Sequence, residues 1–227
     1  MLQPFAEEIW IADGPTADVA GFRYPTRMAV LRLGDGALFV WSPIALTDEL
    51  CAGVAALGSV RYLVAPNALH HLFLAEWKRA FPQALLYAPP GLRAKRKDLA
   101  FDADLDAALL PWADEIDQVA VGGNLIATEV VFFHRKSCTV LFTDLIQHFA
   151  PGWFTGWRAL VTRLDLMAAV APEVPRKFRL AFTDRKTARA ALRRILAWPS
   201  ERVLMAHAPP VERDGQAFIA RAFRWLL

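Results

Sequence analysis

Five histidines stand in the sequence, His70, His71, His134, His148 and His207. Four of them sit where a short apolar run ends. His70 and His71 open the stretch after residues 60–64, His134 follows Val130-Val131-Phe132-Phe133, and His207 follows Val203-Leu204-Met205-Ala206. A carboxylate, Asp144, closes the run at residues 139–143 in the same way. Short apolar runs read as buried strands. In layered α/β folds the strand ends share an edge, and ligand sites collect there. Three or four imidazoles with one carboxylate are a suitable donor set for zinc, iron or manganese. Each residue also has a plainer use: a polar helix start for His70-His71, a structural imidazole for His134 or His207. His148 lies in a polar-to-aromatic loop and is read as structural. The combination carries the signal rather than any single member.

The elements that must position these groups follow from pattern. Residues 8–12 form a short apolar run ended by Asp13-Gly14-Pro15. Residues 27–33 and 37–41 flank Gly34-Asp35-Gly36, a hairpin-turn sequence. Helical spacing over 48–57 follows Thr47, which suits an N-cap. A strand is predicted at 60–64, an amphipathic helix at 69–81, a strand at 84–87 and a short helix at 90–97. The second half repeats the logic, with strands at 118–121, 125–133 and 137–143. A loop holding Trp153 and Trp157 comes next; it reads as a lid or core segment before it reads as a ligand surface. Helices are predicted at 172–181 and 186–197, a strand at 203–206 and a last helix at 215–226. Hairpins first, then strands alternating with helices, predict a four-layer α/β/β/α sandwich.

Composition narrows the class. The 227 residues are 55% hydrophobic and 22% charged, which is a globular balance that can bury a core without staples. No linker, repeat or low-complexity tract divides the chain, so one domain spanning 1–227 is expected. The net charge of +3 comes with basic clusters at 93–97 and 185–194, read as solvated helix faces because no aromatic-interleaved motif accompanies them. Nucleic acid is accordingly disfavoured as a partner. Cys51 and Cys138 belong to no C-x-x-C pair and read as small core residues. The first eight residues lack the basic start and apolar run of a signal peptide, and no segment approaches 18 apolar residues, so a cytoplasmic protein is expected.

The order of these features resembles the metallo-β-lactamase superfamily, which carries an H-x-H-x-D-H motif, then a His, a bridging Asp and a final His. In Pro66-Asn67-Ala68-Leu69-His70-His71 the first two motif histidines fall on Pro66 and Ala68 and are lost, the Asp falls on His70, and the last His is kept as His71. The later motifs match His134, Asp144 and His207, and the opening strand matches residues 8–15. The Asp usually found near the end of the early hairpin is missing, and Trp41-Ser42-Pro43 stands there. Residues 65–73 with Trp77, Phe81-Pro82, Pro90-Gly91-Leu92 and Lys95-Arg96 are similar to one uncharacterised domain-of-unknown-function branch of that superfamily.

The resemblance implies a metallo-β-lactamase-like fold and one retained metal site built from His70, His71, Asp144 and His207, with His134 alone left of the other half-site. One divalent ion is expected, zinc first and iron or manganese as alternatives. With one carboxylate the loaded site carries a charge of about +1, which favours a small anionic substrate. A metal-dependent hydrolase acting on an ester, amide, lactone or phosphoester is the leading reading. The alternative is a binding or interaction protein that keeps the fold and has lost the chemistry. Two-metal cleavage of nucleic acid is the least supported, because it needs both ions.

Overall fold

The computed structural model describes residues 1–107 and 109–227. The chain divides into two compact units, each with its own sheet.

The first unit comprises Met1–Ala17, Pro25–Asp117 and His134–Ser137. Its sheet runs in the order β1 (Gln3–Ala6), β2 (Ile9–Val19), β3 (Phe22–Arg32), β4 (Ala37–Trp41), β5 (Ser59–Val64), β6 (Leu85–Ala88) and β7 (Ala103–Asp104). β3 and β4 pair antiparallel across the predicted turn, where Leu33 N–H donates to Ala37 O and Gly36 takes a φ of 81° that suits glycine. From β4 to β7 the pairing is parallel. Every residue of β4 is buried, as a central strand covered on both faces requires. On one face Leu38, Val40 and Leu63 pack with Leu50 and Val54 of α1 (Asp48–Leu57) and with Leu74 and Trp77 of α2 (Leu74–Ala80). On the other, Phe39, Tyr62 and Tyr87 set their rings edge-on to Trp112 at 4.6–5.0 Å, the arrangement that the ring quadrupoles favour. Thr47 caps α1 as expected, its hydroxyl accepting from Leu50 N–H. A short helix, α3 (Leu92–Lys95), lies within the predicted 90–97.

The predicted helix at 69–81 begins late, at Leu74. The cause is Asn67. Its buried side-chain oxygen accepts from Leu69 N–H at 2.8 Å and His70 N–H at 3.2 Å. This local bonding offers the backbone an alternative to the helix ladder.

The second unit comprises Asp18–Tyr24, Gln118–Phe133 and Cys138–Leu227. Its sheet follows the order β11 (Arg202–His207), β10 (Thr139–Gln147), β9 (Glu129–His134) and β8 (Ile116–Val121). β10 and β11 are parallel. Val140, Phe142, Val203 and Met205 pack against Leu192 and Ile195 of α6 (Arg185–Leu196), Ile219 of α7 (Gly215–Ala222) and Phe178 of α5 (Arg176–Ala181). The helix α4 (Gly156–Leu164) was not expected from the sequence. Its only buried residue is Thr162, while Trp157, Leu160 and Leu164 face outward, so the apolar spacing gives no core-facing stripe to read. No helix among the described residues is long and apolar enough to cross a membrane.

Candidate metal centre

His70 hangs from the turn that Asn67 builds, and Ser42 fixes its ring. Ser42 Oγ lies 2.7 Å from His70 Nδ1 and 3.1 Å from the carbonyl oxygen of Arg27. The hydroxyl has one proton, and a carbonyl can only accept. Ser42 therefore donates to Arg27, and His70 Nδ1–H donates to Ser42. That tautomer leaves the lone pair on Nε2, the state in which an imidazole ligates a metal. Ser42 holds a φ of 51°, uncommon for a residue with a Cβ. Such backbone persists where surrounding structure over-determines it. Here Ser42 N–H is tied to Val64 O at 2.9 Å. The sequence had marked position 42 only for a missing Asp, and its hydroxyl role depends on Arg27, fifteen residues away.

His71 is held differently. Arg96 Nη1 stands 3.1 Å from His71 Nδ1 and 2.9 Å from His71 O. A guanidinium only donates, so Nδ1 is the acceptor and the ring proton sits on Nε2. Burial, reinforced by the Lys95 and Arg96 charges, pushes the His71 pKa down to about 4. His71 is a neutral ring whose lone pair is spent on Arg96, so in this arrangement it offers no ligand nitrogen.

Pro66 and Ala68, the two positions where the resemblance places lost histidines, carry no side-chain donor. Lys95 Nζ binds the carbonyl of Ala68 at 2.9 Å, which puts a cation beside that position.

In the second unit Asp144, within β10, comes together with His207, the last residue of the neighbouring β11. His207 Nε2 lies 3.4 Å from Asp144 Oδ1, and both residues are buried, at 5% and 6% exposure. Ligand atoms ~2.0–2.1 Å from one ion at the tetrahedral angle stand ~3.3 Å apart. The pair therefore fits a shared cation as well as a hydrogen bond. Asp144 Oδ1 also accepts from Gln147 Nε2 at 3.3 Å, and the His207 ring meets Tyr24 edge-on at 5.6 Å. Lys177 Nζ reaches Gln147 Oε1, Tyr24 Oη and the Asp165 carboxylate within 3.0–3.3 Å.

Glu129, which the sequence did not single out, is buried at the start of β9. Its carboxylate accepts from the backbone N–H groups of Thr143, Asp144 and Leu145 at 2.7–3.0 Å. Burial, reinforced by the charge of Asp144, pushes its pKa up to about 7 against the lowering effect of those bonds.

His134 closes β9 at the turn into β10. Its Nδ1 pairs with Ser137 Oγ at 2.8 Å, and its Nε2 is buried with no hydrogen-bond partner among the described residues. Burial pushes its pKa down to about 4. It stands five residue steps along β9, at ~3.3 Å each, from Glu129, the residue bonded to Asp144 N–H. His148 N–H donates to His207 O at 2.8 Å.

The fold is that of the metallo-β-lactamases. A metallo-β-lactamase from Pontibacter korlensis superposes with a TM-score of 0.64 at 14% identity, covering 100% of this chain and 98% of its own. FIM-1 from Pseudomonas aeruginosa, in its mono-zinc form, superposes with a TM-score of 0.62 at 14% identity, covering 100% and 96%. A metal-soaked flavodiiron core, Flv1 from Synechocystis sp. PCC6803, gives a TM-score of 0.66 at 13% identity. The comparison covers all of this chain, which spans only 60% of the Flv1 chain. No curated protein matches the sequence. Within this fold the chain belongs to the family Domain of unknown function (DUF4336), whose pattern matches residues 6–151.

Proposed function

We propose that the protein is a metal-dependent hydrolase-like protein that works with one divalent ion, held by His70, Asp144 and His207. The reading is supported most directly by the buried Asp144–His207 pair, whose donor atoms are spaced as two ligands of one ion. Each of the three residues offers one ligand atom, an imidazole nitrogen or a carboxylate oxygen. The His70 tautomer set by Ser42 adds a prepared nitrogen. Zinc suits a set of two imidazoles and one carboxylate, and iron and manganese accept the same donors. Three protein ligands leave an open position, as catalytic rather than structural sites do. Such an ion polarises a carbonyl or phosphoryl oxygen and makes water acidic near neutral pH.

The protein's own groups do the rest. Gln147 orients the Asp144 carboxylate, and Lys177 holds Gln147 in turn. One carboxylate against a divalent ion leaves a charge of about +1, which favours a small anionic ester, lactone or phosphoester.

Loading the protein with zinc, iron(II) or manganese and counting metal per chain by mass spectrometry tests the reading. One ion per chain is expected, falling to below a tenth in Asp144→Asn and His207→Ala. A chain that takes up none of the three metals contradicts it. A loaded protein that turns over no ester, lactone or phosphoester would instead favour the binding-protein alternative.

A further inference from the structure

The strand that carries Asp144 does not run straight into the site. Along β10 and β11, Phe142 pairs with Met205, and the next pair is Gln147 with His207. Five steps on β10 match two on β11, so β10 bulges between these pairs. A bulge disrupts the ladder and leaves backbone N–H groups in need of partners. Three consecutive N–H groups in this bulge, of Thr143, Asp144 and Leu145, all donate to one side chain, the carboxylate of Glu129. Glu129 is 1% exposed. Burying a carboxylate is costly, and charge-assisted bonds to three fixed donors are among the few arrangements that retain one. Past the bulge, Gln147 N–H rejoins a partner at Glu173 O, 3.0 Å away. The departure of β10 from the sheet is thus held from the neighbouring strand, at the residue that supplies the carboxylate to His207.

We propose that Glu129 is a positioning residue for the metal site: its carboxylate fixes the β10 bulge and thereby sets where Asp144 stands. This rests on the one-ion site proposed above. A glutamine keeps the size of Glu129 but replaces one acceptor oxygen by an N–H₂ that faces backbone donors. The bulge then loses part of its anchor while the fold keeps its volume.

The test is a zinc titration of the wild-type protein, of Glu129→Gln and of Val131→Ala. The last removes a fully buried side chain from the same strand, at a residue that takes no part in the bonds to the bulge. Glu129→Gln is expected to weaken zinc binding about 10- to 100-fold, the range found when the partner of a metal ligand is removed. Val131→Ala, although less stable, is expected to bind zinc within about threefold of wild type. A folded Glu129→Gln protein with wild-type zinc affinity overturns the proposal and leaves the metal site standing. Wild type that takes up no metal overturns the site itself, which separates the two failures.

Should Glu129→Gln not fold, amide exchange on the zinc-titrated wild type decides. Expected are amides of Thr143, Asp144 and Leu145 that exchange as slowly as the β10 core and shift together on zinc addition. Exchange at loop rates, or no shift, overturns the proposal.

Discussion

Residues 66–71 and residues 143–147 each carry one of the proposed metal ligands, and they hold it by opposite means. In the first, the anchor is local: Asn67 bonds the N–H groups two and three residues ahead, and Ser42 then sets the ring of His70. In the second, the anchor comes from another strand, where Glu129 gathers three N–H groups of the β10 bulge. A local turn is a small, separable unit. A buried carboxylate that satisfies three backbone donors couples the ligand to the sheet. The two segments should therefore fail differently when their anchors are removed.

The largest effect is expected at Glu129. Glu129→Ala leaves three buried donors without an acceptor, at about 1–3 kcal/mol for an unmet group, partly offset by removal of a buried charge beside Asp144. A net loss of about 3 kcal/mol in urea denaturation is predicted; a change below about 0.5 kcal/mol would break the contrast between the segments. Next comes Ser42→Ala. It removes the acceptor that orients His70 and should weaken zinc about 10- to 100-fold with little change in stability, as read by competition with a chelating dye. Equal zinc affinity would show that the His70 tautomer is set elsewhere. Asn67→Ala is smaller, about 1 kcal/mol, the usual worth of such a side-chain cap, and thermal unfolding checks it.

The turn after β9 supplies a background outside both segments. His134 is buried and neutral, with its pKa pushed down to about 4 from an ordinary 6.5. The unfolded chain takes up a proton from pH 6.5 downward, whereas the fold resists until about pH 4. The contribution of His134 is therefore whole above pH 6.5 and is lost progressively as the pH falls toward 4. His134→Gln should flatten the stability profile across that window, and an unchanged slope would place the acid sensitivity in another group. The smallest effect is expected at His71, whose lone pair is committed to Arg96. His71→Gln should leave zinc affinity within about threefold, and a loss of tenfold or more would return His71 to the ligand set.

Much of the scaffold was legible because its signals are local. Gly34-Asp35-Gly36 marked the hairpin, Thr47 marked the start of α1, and the apolar runs before residue 65 and before His207 marked strand ends, whereas β10 runs past Asp144 to Gln147. The start of α2 was misplaced, at residue 69 instead of Leu74, after a turn tied by Asn67, and α4 was missed because it buries only Thr162. The candidate ligands stood out by residue type, but what holds each of them did not. His70 and His71 are adjacent and chemically identical. What separates them is a hydroxyl at Ser42 and a guanidinium at Arg96, each more than twenty residues away. Glu129 opens an apolar run as an ordinary polar strand end would. Its part becomes visible only once the mismatch between β10 and β11 is known.

The account stands most directly on the number of zinc ions bound per chain, measured by titration in wild type and in His70→Ala, Asp144→Asn and His207→Ala. One ion is predicted in wild type, lost in each of the three variants while circular dichroism shows them folded. Wild type that binds no zinc, iron(II) or manganese, or three variants that bind zinc as wild type does, would contradict it.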